Sequence, residues 1–77
     1  PVRFRLELPQ AGEALLEIFD VRGARVRTLL RGAQSAGRQD VAWDGRADDG
    51  SASAPGLYLV RARAGGEART VRVARLR

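Results

Sequence analysis

Apolar and polar residues alternate with a period of two along most of the chain. Val2, Phe4, Leu6 and Leu8 are separated by Arg3, Arg5 and Glu7, the pattern of a strand with one face buried. Pro9 and the turn-forming Gln10–Gly12 stretch close it. Ala14, Leu16 and Ile18 alternate with Leu15, Glu17 and Phe19 to make a second strand. Asp20-Val21-Arg22-Gly23 follows, with Asp first and Gly fourth, as a type I turn prefers. It leads into a third strand near Arg25–Leu30, with Val26 inward and Arg25 and Arg27 outward. The alternation breaks at Thr28-Leu29-Leu30, which marks a bulge or a strand end.

Gly32 to Gly37 reads as a connection of small residues. Asp40–Asp44 is a fourth strand, with Val41 and Trp43 on one face. Gly45 to Gly56 is the longest break and has room for a short strand at Ser51–Ser53. Leu57–Arg63 is a fifth strand, Ala64-Gly65-Gly66-Glu67 a hairpin turn, and Ala68–Leu76 the last strand, with Val71 and Val73 inward. A helix over Glu13–Leu30 is disfavoured by the turn that interrupts it and by its Val, Ile, Phe and Thr. Six to seven short, mainly antiparallel strands predict an all-β sandwich. One domain over residues 1–77 is expected, with a core of Phe4, Leu6, Ile18, Trp43, Tyr58, Val60, Val71 and Val73.

Composition removes whole classes of chemistry. The 77 residues include no Cys, His or Met. Disulfide frameworks, thiol nucleophiles, zinc sites and histidine acid–base catalysis are excluded. The net charge is +5, and all 14 basic residues are Arg. In so Ala- and Gly-rich a chain that bias alone does not choose a partner. No apolar run reaches the ~18 residues of a membrane span, so no membrane insertion is expected. The sequence opens at Pro1 without a charged-then-apolar leader and is read as a piece of a longer or processed protein.

Several stretches form an ordered set. They are Leu8-Pro9 with Gly12; Leu16-Glu17-Ile18-Phe19-Asp20 with Gly23; Val26-Arg27-Thr28-Leu29; Ala36-Gly37; Val41-Ala42-Trp43-Asp44-Gly45-Arg46 with Asp49 and Gly50; Gly56-Leu57-Tyr58; and Val73-Ala74-Arg75-Leu76-Arg77. The set resembles the Ig-like domain of the flagellar hook-capping protein (FlgD-type). It also resembles related C-terminal modules of secreted bacterial proteins, including type IX secretion sorting domains. The resemblance implies an Ig-like sandwich without catalytic machinery, placed at the C-terminal end of a larger exported protein.

Three constellations remain. Asp44, Asp48 and Asp49 lie beside glycines. They lack the spacing of an EF-hand and its closing Glu, so turn capping is the expected role and no metal or cofactor is assigned. The scattered carboxylates have no cleft in which to pair, and no nucleophile–base set exists, so the chain is not expected to be an enzyme. The third is a candidate interaction face. Arg61, Arg63 and Arg72 join Leu15, Phe19, Leu57 and Leu59, which lie opposite the core-facing residues of their strands. Glu7, Glu17 and Glu67 are candidates to neutralise Arg across strands.

The function expected is a non-catalytic accessory module of an exported or cell-surface bacterial protein, acting in secretion sorting, surface attachment or spacing. Its partners would be other domains of the parent protein, secretion or envelope machinery, or further copies of itself. A self-assembling hook-cap or filament scaffold is the first alternative. A carbohydrate- or nucleic-acid-binding module using the Arg face is the second. Nucleic acid is disfavoured, because exposed aromatics for base stacking are scarce.

Overall fold

The computed structural model describes residues 2–76 and contains six strands. They are β1 (Val2–Leu8), β2 (Gly12–Asp20), β3 (Arg25–Gln34), β4 (Gly37–Trp43), β5 (Gly56–Ala64) and β6 (Glu67–Arg75). β1 pairs with β4 in a two-stranded sheet, and the others form a four-stranded sheet of order β3-β2-β5-β6. Every pairing is antiparallel. The alternation in the sequence sets which residues face inward. Leu16, Ile18, Tyr58 and Val60 from the larger sheet meet Trp43 from the smaller one in the buried cluster. Phe4, Val26, Val41 and Val73 pack around it half-buried.

The Asp20–Gly23 turn closes through Gly23 N–H donating to the Asp20 carbonyl (3.0 Å). The β5–β6 hairpin turns on Gly65 and Gly66, with φ of +58° and +79°. Positive φ at both central residues is the geometry that a two-residue hairpin of matching twist requires.

Three expectations are corrected, and the choice left open at Thr28-Leu29-Leu30 is settled. β3 runs on through Gly32 to Gln34, opposite Gly12–Ala14. These small residues hold a strand because β2 offers them a ladder. The broken alternation at Thr28-Leu29-Leu30 is a bulge and not a strand end, since Leu16 opposes Leu30 while Glu17 opposes Thr28. A second register shift follows at Ile18/Phe19. Ser51–Ser53 forms no strand, only the bridge Arg46–Ala52.

The third correction concerns the core. Val71 stands opposite Val60 on the inner face, yet it is 47% exposed. Leu6 also faces inward but is only half-buried, outside the central cluster. Both lie where a four-stranded sheet extends past a two-stranded one, so an inward direction does not bring full burial.

Candidate functional site

The residues that carry the motif are knotted together at one end of the sandwich. Trp43 ends β4 fully buried. Its indole stands edge-on to the Tyr58 ring, with centroids 5.1 Å apart at 73°. The indole Nε1–H donates to the Arg46 carbonyl (2.9 Å), and Arg27 Nη1 donates to the same carbonyl (3.1 Å). Asp44 Oδ1 accepts from the Arg46 N–H (3.0 Å) and from Arg27 Nη1 (3.2 Å). Gly45 lies buried between them at φ +80°, where a Cβ would run into the Arg75 guanidinium. The backbone conformation is one that Gly adopts without strain.

The acidic loop is tied down in the same way. Asp48 Oδ1 accepts from the Thr28 N–H (2.9 Å), and the Asp48 N–H donates to the Val26 carbonyl (2.9 Å). Asp49 Oδ1 accepts from the Ser51 hydroxyl (2.6 Å) and its N–H (2.9 Å). These bonds hold the carboxyls of Asp44 and Asp49 below the usual range: for Asp44 the Arg46 backbone N–H acts most, for Asp49 the Ser51 hydroxyl. Asp44, Asp48 and Asp49 thus join the loop to β3 and to itself.

The outer face of the larger sheet collects the candidate interaction residues. The register sets Leu15 opposite Arg63, Glu17 opposite Arg61, and Phe19 opposite Leu59. It also sets Leu59 opposite Arg72 and Leu57 opposite Ala74. All seven candidates therefore share one face. Leu57 is 45% exposed, while Leu15, Phe19 and Leu59 are half-buried. Arg25 and Arg31 join them from β3, opposite Phe19 and Leu15.

The alternation alone does not reveal the centre of this face. Glu17 is only 6% exposed although it points away from the core. Arg61 Nη2 reaches it at 3.4 Å and Arg25 Nη1 at 3.8 Å. The Arg61 guanidinium also lies over the Phe19 ring, 4.9 Å from its centroid. Burying a carboxylate is costly, and two Arg offset that cost only by holding close. The signal available in the sequence was Glu17 flanked by outward Leu15 and Phe19, whose bulk shields it. Glu7 meets Arg38 at 3.8 Å on the smaller sheet, whereas Glu67 opposes Ala64 in the hairpin.

Tyr58 completes the picture near the start of β5. Its hydroxyl donates to the Ala54 carbonyl, four residues upstream, at 2.5 Å. A tyrosine bonded back in this way, in the strand after the long corner, is the tyrosine corner of Ig-like sandwiches. The strand order agrees: β1 and β4 occupy the B and E positions, and β3-β2-β5-β6 the C′-C-F-G positions.

The fold is therefore an Ig-like β-sandwich. The family model of the FlgD Ig-like domain matches residues 1–67, and the chain belongs to that family. Among solved structures it is similar to FlgD from P. aeruginosa, with a TM-score of 0.71 and 25% identity. The match covers 95% of this chain and 59% of that one, so the chain spans somewhat over half the length of that relative. No curated protein matches.

Proposed function

We propose that this domain is a non-catalytic accessory module in the C-terminal part of an exported or cell-surface bacterial protein. It binds another protein through the outer face of its four-stranded sheet, in sorting, attachment or spacing. The observation that carries this reading is the assembly of that face. Five Arg (25, 31, 61, 63 and 72) and four large apolar side chains share it with two acidic residues, Glu13 and Glu17. Glu17 is consumed by Arg25 and Arg61, which leaves Arg31, Arg63 and Arg72 beside the apolar side chains of the face. Such a face fits an acidic protein surface that also offers apolar contacts. A nucleic-acid role has less support, because Arg61 already covers one face of Phe19.

Membership of the FlgD Ig-like family favours one second reading, a scaffold that assembles with copies of itself. Reversal of Arg63 and Arg72 to Glu separates the readings and leaves the Glu17 pairs in place. Under the proposal the doubly reversed domain keeps its circular dichroism, while the parent protein loses its retention at the cell surface. Unaltered retention refutes the role of this face. Light scattering tests the scaffold: concentration-dependent growth supports self-assembly, and a strict monomer at high concentration removes it.

A further inference from the structure

We propose that the free edge of β6 is the pairing surface for a second copy of this chain, joining two four-stranded sheets in a closed dimer. Among the described residues β6 pairs only with β5. The two-residue turn makes Ala64–Glu67 a hydrogen-bonded pair, and every second pair after it is bonded too. Residues 68, 70, 72 and 74 therefore turn their N–H and C=O groups away from β5. Neither proline nor a bulge blunts this edge: its 9 residues include no Pro, and its register with β5 is unbroken. Glu67 through Arg72 are all exposed, Val71 at 47% although it faces inward. The opposite edge of the same sheet is protected. β3 carries two register shifts, and Asp48 bonds to its Thr28 N–H and its Val26 carbonyl.

The sequence of β6 complements its own reverse. When two such edges pair antiparallel, opposed residues are both even or both odd, because only the even ones present free backbone groups. Full overlap of Glu67–Arg75 then places Val71 on the two-fold axis. There it faces Val71 of the second copy in a pair without hydrogen bonds, where side chains come closest. At each end Glu67 faces Arg75 of the second copy. Neither residue has an ion pair among the described residues. Between centre and ends, Arg69 faces Val73 and Thr70 faces Arg72, so no like charges stand directly opposed. Centring the pair on Arg69 or Arg72 sets Arg against Arg, and centring it on Thr70 leaves Glu67 against Val73. The smaller sheet lacks this property. Full overlap sets Arg5 against Arg5 on β1 and Asp40 against Asp40 on β4. A contact that uses the same patch on both copies closes at two. The inference goes beyond the outer-face reading and does not rest on it. It turns the self-assembly reading from a growing filament into a dimer.

The test is sedimentation velocity of the 77-residue chain at concentrations up to about 1 mM. The proposal expects a monomer–dimer equilibrium that stops at two copies. Thr70→Pro removes an outward N–H but no bond to β5, so it should abolish the dimer while circular dichroism stays unchanged. Glu67→Arg and Arg75→Glu each set like charges at both ends of the pair, and each should weaken the dimer about tenfold. Mixed in equal amounts, these two variants form a heterodimer with opposite charges at both ends, and dimerisation returns. A strict monomer, a mass that climbs past two copies, or a folded Thr70→Pro that dimerises like the parent chain overturns the proposal. So does a mixture that dimerises no better than its components, and this arm decides the matter if Thr70→Pro does not fold. None of these readouts involves Arg63 or cell-surface retention, so the outer-face proposal stands or falls separately.

Discussion

Replacing Trp43 with Ala removes the largest fully buried side chain of the domain. Deleting a buried Trp to Ala costs about 3–5 kcal/mol in transfer and cavity terms. A domain of this length holds roughly 4–12 kcal/mol in total, so the variant gives up a large share of it. Trp43→Phe separates the contributions. It keeps an aromatic ring near Tyr58 but loses the Nε1–H bond to the Arg46 carbonyl. That carbonyl still accepts from Arg27 Nη1, so no acceptor is orphaned and the cost falls to about 1–3 kcal/mol. With about 4–8 °C of melting temperature per kcal/mol in a domain this small, Trp43→Ala should melt at least about 12 °C lower, with Trp43→Phe in between. Both variants lack the fluorophore, so unfolding is followed in urea by far-ultraviolet circular dichroism. An unchanged midpoint for Trp43→Ala, or a phenylalanine variant as weak as the alanine one, would refute the placement of the indole at the centre of the core.

Two further outcomes follow from the loop end of the sandwich. Gly45→Ala and Gly23→Ala both force a side chain into positive φ, at about 1–2 kcal/mol each, but only Gly45 also faces the Arg75 guanidinium. Because a guanidinium at the end of a flexible side chain can swing aside, both variants should lower the melting temperature by similar amounts. A Gly45→Ala variant that melts far below Gly23→Ala would show that the Arg75 guanidinium is held too firmly to give way. The carboxyls of Asp20, Asp44 and Asp49 lie below their ordinary value of 3.8, Asp20 chiefly through its bond from Arg22. The unfolded chain therefore binds more protons in that range, so their contribution is complete above the ordinary value and is lost as pH falls through the folded ones. The melting temperature should hold from about pH 7 to 5 and decline below about 4, less steeply in Asp44→Asn; a flat profile down to about pH 2.5 would exclude these bonds as a source of stability.

The period-two pattern reveals the direction of a side chain but not what stands opposite it. All six strands were legible from stretches of alternation, and β1, β2, β4 and β5 also end at or just before a Pro, Asp or Gly. The inward direction of Val71 was legible too, since it opposes Val60. Its exposure was not, because that depends on the smaller sheet having only two strands. Glu17 shows the converse. Its outward direction is plain from Leu16 and Ile18, but its burial arises from Arg61, 44 residues away, and from Arg25 on the neighbouring strand. The extension of β3 through Gly32 was hidden for a related reason: Gly and Ala describe a loop until a partner strand is known. Leu15, Phe19, Leu57 and Leu59 were legible as a set, because apolar residues on both sides of a strand require a second cover.

The residues by which the chain is recognisable and those by which it would bind are different residues. Trp43, Asp44, Gly45 and Arg46 spend their polar groups on one another, on Arg27 and on the backbone of the loop. These bonds tie the loop to β3, so substitution there should act on stability. The outer face of the larger sheet lies outside that knot, so its side chains are not fixed by the motif. The family match ends at residue 67, where β6 begins, and β6 carries Arg69, Val71 and Arg72. Those side chains can change without disturbing the Trp43 knot or the Tyr58 corner. Under the proposed function, substitution of Arg63 or Arg72 should therefore alter binding while leaving the melting temperature near that of the parent domain, and a large loss of stability in either variant would refute this separation of fold from binding.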